Sequence, residues 1–291
     1  MSSLLKSFYK LLGLVGPLDE SGEGYEPSPL SKMLAVDSKT GYKPAEFDKK
    51  YTGDRKVLVI CTQERYLEMK NGKNFSTGNH PVETVHPLRH VVDAGFDFDV
   101  ATPTGRPVCI ENWALPKKDK DFLKFYADHF EEKSKKPMSL QEIAKDENAM
   151  ASYACVVIPG GHGAMLGLPD NKDVCKILNH FIEKDKYVAS ICHGPAALLS
   201  LPDNGSFPYK GYKIACFPDS MDKTTPRIGY IPGPMKWYVG EKLTKRGMTV
   251  VNGSADSTVH VDRKLVTGAS PQASEKFGIT LAKKLLEEYA S

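Results

Sequence analysis

The chain has 291 residues, 41 % of them hydrophobic and 26 % charged, with a formal net charge of +3 at pH 7. That composition suits one large α/β domain, or a core with a small attachment, and with no long basic block it excludes nucleic acid as a default partner. Cys61, Cys109, Cys155, Cys175, Cys192 and Cys216 lack paired spacing, and no apolar run nears the roughly 20 residues of a membrane span. A cytoplasmic protein with free thiols is expected.

In chain order, residues 4–15 are apolar but broken by Lys6 and Lys10, which predicts a short amphipathic helix rather than a signal peptide. Residues 17–55 carry Pro, Gly, Ser and charge without a period and read as an irregular arm. Lys56–Cys61 is a continuous apolar run, as in a parallel strand buried on both faces. A long polar loop runs through Asn71-Gly72 to His80. Pro81 then opens a helix whose apolar face is Val82, Val85, Leu88, Val91 and Val92, ending at Gly95. Phe96–Ala101 is the second strand.

Residues 111–150 are rich in Lys, Asp and Glu, with Phe122, Phe125, Tyr126 and Phe130 at helical spacing, and read as an inserted helical cap. Tyr153–Ile158 is a buried strand followed by a glycine-rich turn, Pro159-Gly-Gly-His-Gly163. A helix over 172–185, a strand ending at Ile191, strands at Lys213–Phe217 and Met248–Val251, a helix near 236–246, a strand at Leu265–Thr267 and a last helix from Ser270-Pro271 complete the pattern. Strands alternating with helices predict a doubly wound sheet with helices on both faces, its ligand site at the C-terminal strand ends.

The stretch Ile191-Cys-His-Gly-Pro-Ala-Ala197 reads as strand, sharp turn and helix, with Cys192 on the turn. A helix N-terminus aimed at that thiol favours thiolate, the nucleophilic form. Gly160 and Gly161 permit the close backbone approach that an oxyanion hole needs. Glu83 lies in the first turn of its helix. Near solvent it would stay ionised; buried beside a thiolate it would be pushed toward the protonated form and titrate with the thiol as a pair. Asp219 or Asp222 is placed to orient His193. His80, His86, His90, His129, His162, His180 and His260 carry no spacing that selects among them.

Four stretches, Ile191–Ala197, Pro159–Gly163, Ser76-Thr-Gly-Asn-His-Pro-Val-Glu83 and Ala215-Cys-Phe-Pro-Asp-Ser-Met-Asp222, together resemble the ThiJ/PfpI superfamily. Within it they are similar to the branch of large bacterial heat-shock chaperones and glyoxalase III enzymes. The resemblance covers about residue 24 to the C-terminus. It implies a flavodoxin-like core over 51–291 and a small cap domain built from the 1–50 arm and the 111–150 insertion. It also implies a triad of Cys192, His193 and Asp222, with Glu83 beside the thiol and Gly160 and Gly161 at the oxyanion.

The implied activity is glutathione-independent conversion of methylglyoxal to D-lactate with no redox cofactor, alongside deglycase and holding-chaperone roles. Implied partners are methylglyoxal, glyoxal, glycated proteins or nucleotides, unfolded clients and a second copy of the chain, with no membrane and no sequence-specific nucleic acid. A chaperone with a vestigial site and a cysteine peptidase or amidase are the alternative readings. Many members of the branch carry a His, carboxylate, His metal cluster. The matching positions here are Val92, Asp97 and His129, and valine cannot ligate. Asp97 and His129 would need His90 or Asp93 to make even a weak site, so no specific metal is expected.

Overall fold

The structure is a computed structural model that describes residues 13–203 and 207–290. The helix expected over 4–15 lies largely outside them. Eleven strands are present among the described residues: β1 (Lys56–Ile60), β2 (Tyr66–Glu68), β3 (Asn74–Ser76), β4 (Phe98–Thr102), β5 (Met138–Ser139), β6 (Tyr153–Ile158), β7 (Tyr187–Ile191), β8 (Lys213–Ile214), β9 (Thr249–Val250), β10 (Val259–Asp262) and β11 (Leu265–Gly268). Seven form one sheet in the order β10-β11-β7-β6-β1-β4-β5. Every pairing in it is parallel except that of β10 with β11.

Strand side chains alternate between faces, so β1 feeds two cores. Leu58 and Ile60 join a core with Val174, Ile177, Leu178 and Phe181 of the Lys172–Glu183 helix. Val57 and Val59 face the other way, onto Val85, Leu88 and Val91 of the Pro81–Asp93 helix and Phe277, Leu281 and Leu285 of the Ser274–Tyr289 helix. Each such aliphatic side chain contributes about 1.5–3 kcal/mol on leaving water. Two covered faces explain why β1 and β6 read as unbroken apolar runs.

Four local readings change. The polar loop before His80 contains a hairpin: β2 and β3 pair antiparallel, with Gly72 at φ +75° in the turn between them. Lys213–Phe217 yields only the two-residue β8, which pairs with β9 outside the main sheet. Edge strand β10 was not anticipated, because His260 and Asp262 interrupt its apolar character. The 111–150 insertion holds short helical pieces at Lys120–Phe125, Tyr126–Phe130 and Glu131–Lys135, but also β5, which pairs with β4. The arm is tied to this insertion: Thr40 donates to Asp119 Oδ2 from its N–H at 2.8 Å and its hydroxyl at 2.6 Å.

After β1 the chain adds β4 on one side, and later β6, β7 and β11 on the other. The switch point between β1 and β6 opens a crevice at their C-terminal ends. The glycine turn after β6 and the cysteine turn after β7 both emerge there.

Candidate active site

Cys192 follows β7 directly and takes φ +60°, a left-handed conformation that costs a non-glycine residue on the order of 1–3 kcal/mol. Two strand-like contacts hold it: its N–H donates to Gly268 O at 2.8 Å, and its carbonyl accepts from Phe217 N–H at 3.0 Å. Gly194 lets the turn close, since a Cβ there would stand 2.4 Å from Ile158 O. Strain fixed by its surroundings at a strand end is how a reactive side chain is presented. The segment that follows, Gly194–Ser200, is a 3-10 helix rather than the α-helix expected.

His193 Nδ1 lies 3.3 Å from Cys192 Sγ, and His193 Nε2 lies 2.9 Å from Asp222 Oδ2. The aspartate left open by the sequence is therefore Asp222. Asp219 instead caps a helix. Its two carboxylate oxygens accept from Gly240 N–H at 2.9 Å and Glu241 N–H at 2.6 Å, at the start of the Val239–Lys245 helix. Burial alone would raise Asp222, but His193 and His162 outweigh it and hold its carboxyl far below the usual range. His162 was not singled out by sequence. Its Nε2 lies 3.0 Å from the second oxygen, Asp222 Oδ1, and its ring packs 3.9 Å from that of His193. Asp222 thus serves two imidazoles.

Glu83 reaches the thiol from the first turn of the Pro81–Asp93 helix and is fully buried; Cys192 is 4 % exposed. Neither carboxylate oxygen of Glu83 has a partner in ordinary hydrogen-bond geometry, although the Cys192 thiol and the Gly161 N–H face it. Burial pushes its carboxyl up to about 8; Cys192 and Gly161 N–H pull down against this, while Glu111 adds to it. Burial first, then the charge of Glu83, pushes the Cys192 thiol up as well. A standing thiolate made by a helix N-terminus is therefore not what the geometry provides. Thiol and carboxyl form a coupled pair that keeps at least one proton through the neutral range.

Gly160 and Gly161 make this proximity feasible. A Cβ on Gly160 would lie 2.2 Å from Glu83 Oε2 and 2.6 Å from Cys192 Cβ. Gly161 sits at φ +90°, where a Cβ would meet Gly78 O at 2.4 Å and His80 N at 2.5 Å. The loop opposite is pinned by His80 N–H donating to Gly160 O at 2.9 Å, and by Asn79 Nδ2 donating to Thr62 O and Cys109 O.

A second acid escaped the sequence reading. Glu111 is buried, accepts from Thr77 Oγ1 at 2.6 Å and is pushed up to about 7, by burial against the pull of His162 and Thr77. Its only sequence signal was a position at the edge of a charged insertion. Phe75, Trp113 and Tyr230 pack on one another, and Phe75 and Tyr230 on His162, so one wall is aromatic.

The residues matching the branch's metal positions do not gather. Val92 has no ligand atom. Asp97 pairs with Lys133 at 2.9 Å and Lys56 at 3.5 Å, and the His129 ring stacks on Phe125 at 4.5 Å. Asp93 accepts from the Tyr42 hydroxyl, and His90 turns to Glu275. These residues do not fit the branch's metal.

Comparison with known proteins identifies the family. Residues 52–284 match the family described as DJ-1/PfpI. The chain belongs to the DJ-1/PfpI family. Within that family it is 45 % identical, over 263 residues, to the protein/nucleic acid deglycase HchA of Escherichia coli O157:H7, a match covering 90 % of this chain and 89 % of the relative. The same identity and coverage hold for protein/nucleic acid deglycase 1 of Escherichia coli K12. Among solved structures, glyoxalase III from Candida albicans aligns with TM-score 0.64 and 23 % identity over 81 % of this chain and 97 % of that one. The Rapid Encystment Protein of Francisella tularensis aligns with TM-score 0.67 and 22 % identity over 79 % and 99 %. At those identities the structures share the fold: the mostly parallel sheet, with helices on both faces, of this family.

Proposed function

We propose that the protein is a glutathione-independent glyoxalase III and deglycase that uses Cys192 as nucleophile. One observation carries the reading: Cys192 and Glu83 meet, buried, at the end of β7, with His193 3.3 Å from the sulfur and Asp222 behind it. The relatives named protein/nucleic acid deglycase support glycated proteins and nucleic acids as substrates of the same site.

Methylglyoxal is attacked at its aldehyde carbon. The S–C bond forms, the carbonyl π pair moves onto oxygen, and the Gly161 N–H, with that of His193, faces the developing charge. The proton held by the Cys192–Glu83 pair passes to that oxygen, directly from Glu83 or by way of His193 Nδ1. Either route leaves a neutral hemithioacetal and an ionised Glu83. The carboxylate then takes the proton from the former aldehyde carbon, giving an enediolate, and returns it to the neighbouring carbon while the hydroxyl proton passes from the first oxygen to the second. One carbon is oxidised and the other reduced, so no external electron acceptor is required. The product is a thioester. Water, its proton taken by His193, cleaves it to lactate and free thiol, and Asp222 steadies the imidazolium formed. A carboxyl near 8 suits this double duty as acid and base.

The arm and the 111–150 insertion are read as one cap unit over the site, a shape that suits small substrates better than polypeptide and disfavours the peptidase reading. A homodimer, a holding-chaperone role toward unfolded clients and a cytoplasmic location belong to the same proposal. Exposed Met33 and Leu34 on the Pro29–Ala35 helix supply an apolar face for partner contacts. Among the described residues no helix is long and apolar enough to cross a membrane.

The test is D-lactate production from methylglyoxal without glutathione. Wild type produces it and Cys192→Ala does not. Lactate formed at wild-type rate by Cys192→Ala refutes the mechanism, and aggregation suppression unchanged in that variant separates the chaperone role from the chemistry.

A further inference from the structure

One turn beyond Glu83 on the Pro81–Asp93 helix, a second cluster of titratable groups has no part in the chemistry above. His86 and His90 stand four residues apart and turn their Nε2 atoms toward one oxygen, Oε2 of Glu275 on the Ser274–Tyr289 helix. The His90 contact is 3.2 Å, and the three ligand atoms all lie within 4.8 Å of one another. Both imidazoles are buried, whereas the Glu275 side chain is 32 % exposed and has room to turn.

We propose that His86, His90 and Glu275 form a binding site for a divalent transition-metal ion of the zinc class. Two imidazole nitrogens and one carboxylate oxygen are a donor set that zinc and its first-row neighbours accept, with remaining positions taken by water. Ligand atoms around a tetrahedral zinc are about 3.3 Å apart, so a movement of roughly 1 Å by Glu275 makes room for the ion.

Two further observations point the same way. A cavity of about 100 Å³, lined among others by His86, Glu275, His80, Val82 and Gln272, adjoins the cluster and has space for the water ligands. The helix crossing is built for close approach: Gly278, three residues after Glu275, would with a Cβ stand 2.7 Å from Pro87 Cα and 2.9 Å from His90 Cδ2. The arm covers the cluster. Tyr42 packs its ring 5.4 Å from His86 and 4.8 Å from His90, its hydroxyl donates to Asp93, and Arg89 stacks on it at 3.5 Å. An ion here would join the arm, the helix that carries Glu83 and the C-terminal helix.

The test uses metal-stripped full-length protein in a Cys192→Ala background, which removes the active-site thiol as a competing ligand. Titration with Co²⁺ and with Zn²⁺ is followed by calorimetry, by visible absorption and by the thermal midpoint. The expected result is one ion per chain, cobalt bands of nitrogen and oxygen ligation without a thiolate charge-transfer band, and a raised Tm. Glu275→Gln, isosteric and at a partly exposed position, weakens binding about 10- to 100-fold, and His86→Gln with His90→Gln removes it. Absence of binding, a thiolate band, or undiminished affinity in a folded Glu275→Gln protein overturns the proposal. Should the histidine variants fail to fold, the Glu275→Gln affinity decides alone.

Discussion

Glu83 owes its behaviour to where its helix puts it. A carboxyl that would ionise near 4.5 is shifted to about 8 by burial, with Cys192 and Gly161 N–H as its near partners. Because the folded pKa lies above the unfolded one, its contribution to stability is complete below about pH 4.5 and is lost as the pH rises to about 8. Glu83→Gln cannot titrate, so across that window it gains stability relative to wild type by a few kcal/mol, and the difference is flat above it. Denaturant unfolding of both proteins at several pH values checks this; a difference independent of pH contradicts it. Asp222→Asn keeps the shape but removes the charge that two imidazoles share. We expect kcat to fall by about 10²-fold or more with the fold retained, as lactate kinetics and circular dichroism will read.

At the scale of elements, the site is three turns at strand ends and one helix start. Gly160→Ala puts a methyl where Glu83 Oε2 and Cys192 Cβ already stand, 2.2 and 2.6 Å away. That substitution is expected to cost roughly 1–3 kcal/mol and to abolish most activity, measured by Tm and lactate assay together. Much of this level was legible in sequence. Pro81 and Gly95 bracketed a helix that runs Pro81–Asp93, and Tyr153–Ile158 is the strand its apolar run announced. The glycines at 160 and 161 stood out because close backbone approach has a residue signature. Cys192, His193, Glu83 and Asp222 were read as chemistry-bearing, but the choice of Asp222 over Asp219 rested on family resemblance, since both carboxylates occur within four residues. The roles of His162 and Glu111 depend on side chains converging from β6, the hairpin and the insertion, and no local spacing encodes that. The 3-10 geometry after Cys192 was likewise invisible, because Ala196, Ala197, Leu198 and Leu199 favour an α-helix by propensity. His86 and His90 were not singled out among the histidines, and the carboxylate they share lies 185 residues from His90.

For the whole molecule, the alternation of strands and helices sufficed to predict a doubly wound sheet, because a strand buried on both faces has few other homes. What it missed were the edges: β10, β5 and the β8–β9 pair are short and partly polar, and pairing decides them rather than composition. The core that holds the site together is carried by large side chains such as Phe277, fully buried among Val57, Val59 and Leu88. Phe277→Ala is expected to destabilise the protein by about 3–5 kcal/mol while leaving KM for methylglyoxal near wild type under conditions where the variant is folded. The switch point between β1 and β6 places the turns after β6 and β7 over one crevice, which brings together residues as distant in sequence as Glu83, Gly161, Cys192 and Asp222. The central claim is the division of labour between Cys192 and Glu83, and intact-mass spectrometry with a parallel lactate assay on Glu83→Gln tests it most directly. The variant should accumulate an adduct of one methylglyoxal on Cys192 and release no lactate. Lactate released at the wild-type rate by Glu83→Gln would contradict it.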